Sequence, residues 1–314
     1  MRRLNQSRVL ETEIDTLGHM NVHYYRQRVL TANDVLMTEF GLGRDERGAL
    51  NARLVTRDTY IRYHREQFSG APLEVWGGVL EVGPDGARMY YEVRNPEKND
   101  LAAAFVIIFT LQDIATRGSI PLSSRVIAAA AGAQVALPAH GAPRTIQLTP
   151  PQVNLTYDEV VGRLGDETPN TGFFGRMERV IMAEACDEFG FLHGDQDIMH
   201  GARRREVIAA GQTFGPPTFL SDEGHRFGWA WLETRHIGLA TPRVGDLLKS
   251  IEVMIGIQSK TRHSRRWIFN ETQGVVASIN DTVGIALDLD ARKSIAIPTA
   301  MRKTLESTYL PELA

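Results

Sequence analysis

Apolar residues recur at Val22, Tyr25, Val29, Ala32, Leu36 and Phe40, spaced alternately by three and four. That spacing predicts one face of a helix of about five turns, closed by the stop signals Gly41 and Gly43. A short extended segment, Arg8 to Ile14, precedes it, so the polar stretch from Asp15 to His23 falls at a strand-to-helix junction. Beyond the helix the period changes to two. Leu54 to Gln67 alternates and is rich in Thr, Tyr, Ile and Val, which reads as a strand. Leu73 to Val82 and Ala87 to Arg94 are two more, joined by the turn Gly83-Pro84-Asp85-Gly86. Leu101 to Asp113 is a nearly unbroken apolar run, as a strand buried on both faces requires. This order predicts an α+β unit in which a curled antiparallel sheet wraps one long helix.

The pattern then changes. Val126 to Ala136 is alanine-rich and predicts a short helix, and the Pro- and Gly-containing residues after it read as a linker. The predicted division is a domain over 1–135, a linker over 136–151 and a second domain over 152–314. In the second half Phe173, Met177, Val180, Ile181, Ala185 and Phe189 form a helical stripe ending at Phe189-Gly190-Phe191, much as the first helix ends at Phe40-Gly41-Leu42. Four strands are then expected, at Arg226 to Ile237, Leu247 to Gln258, His263 to Glu271 and Val275 to Leu289. Asp113 precedes Pro121 by eight residues and Asp290 precedes Pro298 by eight. Matching order and matching ends predict an internal duplication.

Composition narrows the class. The chain has 314 residues, 43% hydrophobic and 23% charged, with a formal net charge of −3. That balance gives no reason to expect nucleic acid or an anionic membrane as partner. The first ten residues lack the apolar core of a signal peptide, and no run approaches the ~18 apolar residues of a membrane span. The single cysteine, Cys186, lies in the second helical stripe and has no partner for an intrachain disulfide. A cytoplasmic protein is expected.

The chemistry concentrates at the first junction. A helix N-terminus points unpaired N–H groups and a partial positive charge at whatever binds there. Asp15, His19 and Asn21 gathered at that point suit acyl transfer, in which water is delivered and an oxyanion is held. Each has a plainer alternative. Asp15 could cap the turn, Gly18 could serve backbone conformation alone, His19 could be a structural hydrogen-bonder, and Tyr25 lies on the apolar helix face. The second half shows Gly165 to Gly172 before its helical stripe, with acids but no Asp-x-x-Gly-His-x-Asn arrangement.

The run Glu13-Ile14-Asp15-Thr16-Leu17-Gly18-His19-Met20-Asn21-Val22-His23-Tyr24-Tyr25 resembles the signature that opens the hydroxybenzoyl-CoA thioesterase-like branch of the hotdog superfamily. The resemblance covers Arg8 to about Ser123 and, more weakly, 152–300 as a second, diverged hotdog; Val22 stands where the family usually has a second Asn. It implies a tandem double hotdog that hydrolyses an acyl-CoA or acyl-carrier-protein thioester without a cofactor. Asp15 would be nucleophile or general base. His19 would hold the loop or tune Asp15, Asn21 would orient water or carbonyl, and the N–H near Val22 would be the oxyanion donor. Gly18 and Tyr25 would lie against substrate. Pairing of two chains into a homodimer of double hotdogs is compatible with it.

Other candidates are weaker. Lys260 to Arg266 is a basic hairpin in which Arg265 could meet CoA phosphates, as could Arg57, Arg62 and Arg65 in the first half. His193, Asp195, Asp197 and His200 lack a recognised zinc spacing. Asp222 to His225 reads as a polar turn, and Trp229 and Trp231 as core or acyl-pocket lining. Two further functions remain in view: a non-catalytic acyl-thioester binder or scaffold, and a hydratase or dehydratase. For the last, the Gly-Asp-x-Asn-Pro-x-His and His-Phe-Pro patterns are missing.

Overall fold

The first strand, β1 (Arg2–Arg8), lies earlier than the expected Arg8 to Ile14, and a 3-10 turn over Glu11–Glu13 follows it. Its sequence is polar because it is an edge strand with mostly exposed side chains, so no apolar alternation marks it. The computed structural model describes residues 1–15, 17–149, 153–164, 177–192 and 219–314. The chain divides into two units, Met1–Arg144 and Thr145–Ala314.

In the first unit, helix α1 (Val22–Glu39) is capped by Asn21, whose side chain accepts the His23 N–H. It closes through Gly41 at φ +80°, with Leu42 N–H on Met37 O and Gly41 N–H on Thr38 O. That paired pattern satisfies the last carbonyls, and only a glycine adopts its left-handed position without strain. A short α2 (Arg44–Ala49) leads into β2 (Ala52–Tyr63), β3 (Pro72–Gly83), β4 (Gly86–Asn95) and β5 (Asp100–Asp113). The antiparallel order is β1-β3-β4-β5-β2, with β6 (Ser119–Ile120) on β5 and α3 (Ser124–Ala131) after it. Val29, Ala32, Leu36 and Met37 of α1 are fully buried against Val75, Val79, Met89 and Tyr91 of the sheet. Each large apolar side chain withdrawn from water in this way contributes about 1.5–3 kcal/mol.

The second unit repeats the sheet. A helix, α4 (Tyr157–Leu164), is followed by β7 (Met177–Val180), β8 (Phe219–Leu220), β9 (Arg226–Gly238), β10 (Leu247–Ile257), β11 (Thr261–Asn270), β12 (Val275–Asp288), β13 (Lys293–Ser294) and α5 (Thr299–Glu306). Its order, β7-β10-β11-β12-β9 with β13 on β12, matches that of the first unit, with β8 added on β9. Details repeat as well. Val79 exchanges backbone hydrogen bonds with Ala133 and Val135 after α3, and Met254 does so with Thr308 and Leu310 after α5. Buried Asn95 and Asn270 stand at the same strand end, each accepting a turn N–H. Asp113 and Asp288 close equivalent turns through left-handed Arg117 (φ 60°) and Arg292 (φ 51°).

Three expectations change. The partner of Asp113 is Asp288 rather than Asp290, since the hydrogen bonds place the turn two residues earlier. The stripe from Phe173 to Phe189 is no helix over 177–189; β7 and a 3-10 turn at Ala183–Ala185 occupy it, and Phe173 lies outside the described residues. Only Ile181 and Ala185 of those apolar positions are buried, while Val180 and Phe189 are exposed, so the spacing is coincidental. Cys186 accordingly has extended backbone. Lys260 to Arg266 is not a hairpin but mostly the start of β11, where ion pairs inside the sheet mimic a solvated turn. Among the described residues no helix is long and apolar enough to cross a membrane.

Candidate active site

The loop from Asp15 to Asn21 is built by its own backbone. Asp15 N–H donates to His19 O at 2.9 Å, Gly18 N–H to Asp15 O at 3.0 Å, and Asn21 N–H to Glu13 O at 2.9 Å. Gly18 sits at φ +82°, which a side chain would strain. Asp15 Oδ1 accepts the Leu17 N–H at 2.8 Å. The capping alternative therefore describes one of its two oxygens. The other, Oδ2, lies 3.5 Å from His19 Nε2, and the Asp15 side chain keeps 19% of its surface exposed.

His19 is buried, and its Nδ1 lies 3.0 Å from Glu66 Oε1, within ion-pair distance but off the line of a hydrogen bond. Glu66 belongs to the loop between β2 and β3, where the alternating pattern predicts the tail of a strand. Nothing in its local pattern sets it apart, because forty-odd residues separate it from the motif. The loop is held by Met20 N–H on Gln67 O at 2.8 Å and by Asn95 Nδ2 on Gln67 Oε1 at 2.8 Å.

Asn21 caps α1 through Oδ1. The next N–H, that of Val22, donates to no acceptor among the described residues, and it stands at the helix N-terminus. Tyr25 is a core residue; its ring packs edge-on to Tyr63 and its hydroxyl reaches Arg65 O at 3.4 Å. Burial, reinforced by neighbouring Tyr63 and Glu66, drives its ionisation far above the ordinary range for tyrosine, so it is a fixed neutral donor. Beneath the loop, buried Arg28 pairs with Glu13 at 2.6 Å.

Of the predicted phosphate ligands, Arg65 is exposed, while Arg57, Arg62 and Arg265 are engaged elsewhere. Arg62 donates to Ala139 O and Ala142 O at 3.2 and 3.1 Å, and Arg57 to Thr110 Oγ1 at 3.1 Å. Arg265 is buried, doubly bonded to Asp281 at 2.7 and 2.9 Å and to Leu313 O at 2.7 Å. Trp229 is core and carries the Arg262 guanidinium 4.5 Å above its ring. Asp222 to His225 is the turn expected, with Asp222 also capping α5 at Thr299. His193, Asp195, Asp197 and His200 lie outside the described residues, and among those described no three metal-binding side chains converge.

Gly165 to Gly172 lies outside the described residues; among those described, the equivalent of the Asp15 loop in the second unit is Asp187 to Leu192. Asp187 N–H donates to Phe191 O at 2.7 Å and Gly190 N–H to Asp187 O at 3.0 Å. Asp187 Oδ1 accepts the Phe189 N–H at 3.0 Å, and Gly190 sits at φ +75°. The arrangement is that of Asp15, Leu17, Gly18 and His19, with Phe191 in the histidine's place. Leu192 N–H meets Pro242 O as Met20 N–H meets Gln67 O, which puts Thr241 where Glu66 stands.

Residues 9–136 match the family model of the Thioesterase-like superfamily. No curated protein matches the sequence. Solved structures share the fold of most of the chain. A protein described as an oleoyl thioesterase from Lactobacillus plantarum superposes with a TM-score of 0.64 at 10% identity, over 90% of this chain and 94% of that one. The 12:0-ACP thioesterase from Umbellularia californica gives 0.63 at 13% identity, over 91% and 94%. An acyl-ACP thioesterase from Bacteroides thetaiotaomicron gives 0.61 at 12%, over 89% and 96%. At such identities the likeness establishes the fold. The match to the Thioesterase-like superfamily model spans most of the first unit, and the chain as a whole has the fold of a tandem double hotdog.

Proposed function

We propose that this protein hydrolyses an acyl thioester, carried on CoA or on an acyl-carrier protein, to a free acid and a thiol. The observation that supports this best is the Asp15–His19 pair in the loop that leads into α1, whose Val22 N–H meets no acceptor among the described residues. Oδ1 of Asp15 braces the loop and Oδ2 is left for chemistry. As general base, Oδ2 takes a proton from water while the water oxygen adds to the thioester carbon; as nucleophile, it adds itself and water later cleaves the anhydride. Either way the carbonyl oxygen gains negative charge. The Val22 N–H and the positive end of α1 stabilise it, one such preorganised donor contributing ~3–4 kcal/mol to the transition state. Collapse expels the thiolate. His19 exchanges a proton with Asp15 through Nε2, and the Asn21 amide nitrogen orients water or carbonyl, its oxygen being occupied by the cap.

The test is thiol release from a panel of acyl-CoAs and acyl-carrier-protein thioesters, followed with a thiol reagent. Turnover that Asp15→Asn eliminates is expected. Tight binding of the acyl thioester with no thiol released would instead make the protein a non-catalytic binder. That second reading draws on one observation: the Asp187 loop has the same backbone but presents Phe191 where chemistry would need an imidazole.

A further inference from the structure

We infer that Glu66 is a positioning residue for His19, holding the ring at Nδ1 so that Nε2 stays turned on Asp15; this rests on the thioester-hydrolase reading of the site. An imidazole has two nitrogens, and in its neutral form one donates while the other accepts. His19 has a carboxylate at each: Glu66 Oε1 at 3.0 Å from Nδ1 and Asp15 Oδ2 at 3.5 Å from Nε2. The nearer acid selects the proton position. With Glu66 attracting the proton to Nδ1, the nitrogen beside Asp15 is the one that exchanges protons during turnover. A base oriented by a third group through its far nitrogen is a recurrent catalytic arrangement.

Two further observations support the assignment. The backbone on either side of Glu66 is fixed by hydrogen bonds. Tyr25 hydroxyl and Gln67 Nε2 both donate to Arg65 O, at 3.4 and 3.3 Å, and Met20 N–H donates to Gln67 O. The duplicated unit supplies an internal control. There the turn-closing acid persists as Asp187, while the imidazole position is Phe191 and the Glu66 position is Thr241. Histidine and glutamate are absent together, as expected if the glutamate serves the histidine rather than the loop.

The experiment uses the full chain and its Glu66→Gln, Glu66→Asp, His19→Ala and Glu66→Gln/His19→Ala variants. It measures kcat, KM and their pH profiles on an acyl-CoA that the wild type hydrolyses, with ¹⁵N spectra of the imidazole alongside. Glu66→Gln is expected to lower kcat by about ten- to a hundredfold, as loss of an orienting partner typically does. KM and melting temperature stay near wild type, the pH–kcat profile moves, and Glu66→Asp recovers part of the loss. In the His19→Ala background the same substitution changes nothing further, because it acts only through the ring. The spectrum of the wild type shows the proton on Nδ1, and Glu66→Gln redistributes it. An unchanged kcat and spectrum in Glu66→Gln, or an equal loss with and without His19, overturns the assignment. If the wild type releases no thiol from any acyl-CoA or acyl-carrier-protein thioester, the hydrolase reading falls, and the imidazole spectrum alone then decides whether Glu66 sets the ring.

Discussion

The loops at Asp15 and Asp187 share a backbone and differ in side chains. Both close on an aspartate that accepts the N–H two residues on, both turn through a left-handed glycine, and both send an N–H to a carbonyl of the loop before the next strand. Around that common frame the first unit places His19 and Glu66, with the buried Arg28–Glu13 pair beneath. The second has Phe191, Thr241 and, at the Glu13 position, Ala185; Phe191 packs under the Arg243 guanidinium at 4.8 Å. An aspartate at this turn is therefore explained by loop geometry before any chemistry is invoked. What distinguishes the first loop is the ionisable pair placed against its second oxygen.

The largest expected contrast is in activity. Asp15→Asn should lower kcat by about a thousandfold or more, since a neutral amide can still brace the turn but neither attacks nor accepts a proton. Asp187→Asn should leave kcat within about twofold of wild type. Steady-state thiol release measures both, and equal losses in the two would erase the distinction drawn between the loops. Next is stability beneath them. Arg28→Ala strands Glu13 in a buried site and should cost about 3–5 kcal/mol in chemical denaturation.

Exchanging the ring positions sharpens the contrast further. Phe191 is 2% exposed, so Phe191→Ala should destabilise by about 3 kcal/mol while kcat holds. His19→Ala should do the reverse, with kcat down about a hundredfold and stability changed by about 1 kcal/mol. Parallel melting curves and rates distinguish the two outcomes. The smallest effects belong to the glycines. Gly18→Ala and Gly190→Ala each force a left-handed alanine and should cost about 1–2 kcal/mol, with activity falling only in the first.

Legibility in the sequence followed burial. α1 begins at Val22 and ends within a residue of the expected stop, because its whole apolar stripe faces one core and its cap and closing glycine are local signals. Strands β2 to β5 and β9 to β12 were legible for the same reason. β1 and β7 were not. Edge strands bury little, and β7 borrows a helical spacing without helical burial. The duplication was visible in element order, yet its register was not. Where β3 and β4 bury Val75, Tyr91 and Met89, the equivalent positions in β10 and β11 are Ser250, Arg266 and Ser264, so the repeats share backbone anchors rather than composition.

The sequence by itself determined the sheet-around-helix unit, its repetition and the junction carrying Asp15, His19 and Asn21, all of which depend on local periodicity, capping and turn chemistry. Only the tertiary structure decided that Asp187 is the counterpart of Asp15, that Arg62 and Arg265 are occupied by structural bonds, and that Glu66 meets His19. Those facts arise from backbone hydrogen bonds and side-chain contacts between segments far apart in the chain. Hydrophobic patterning constrains which face a residue occupies, and it carries no information on which distant residue it will touch.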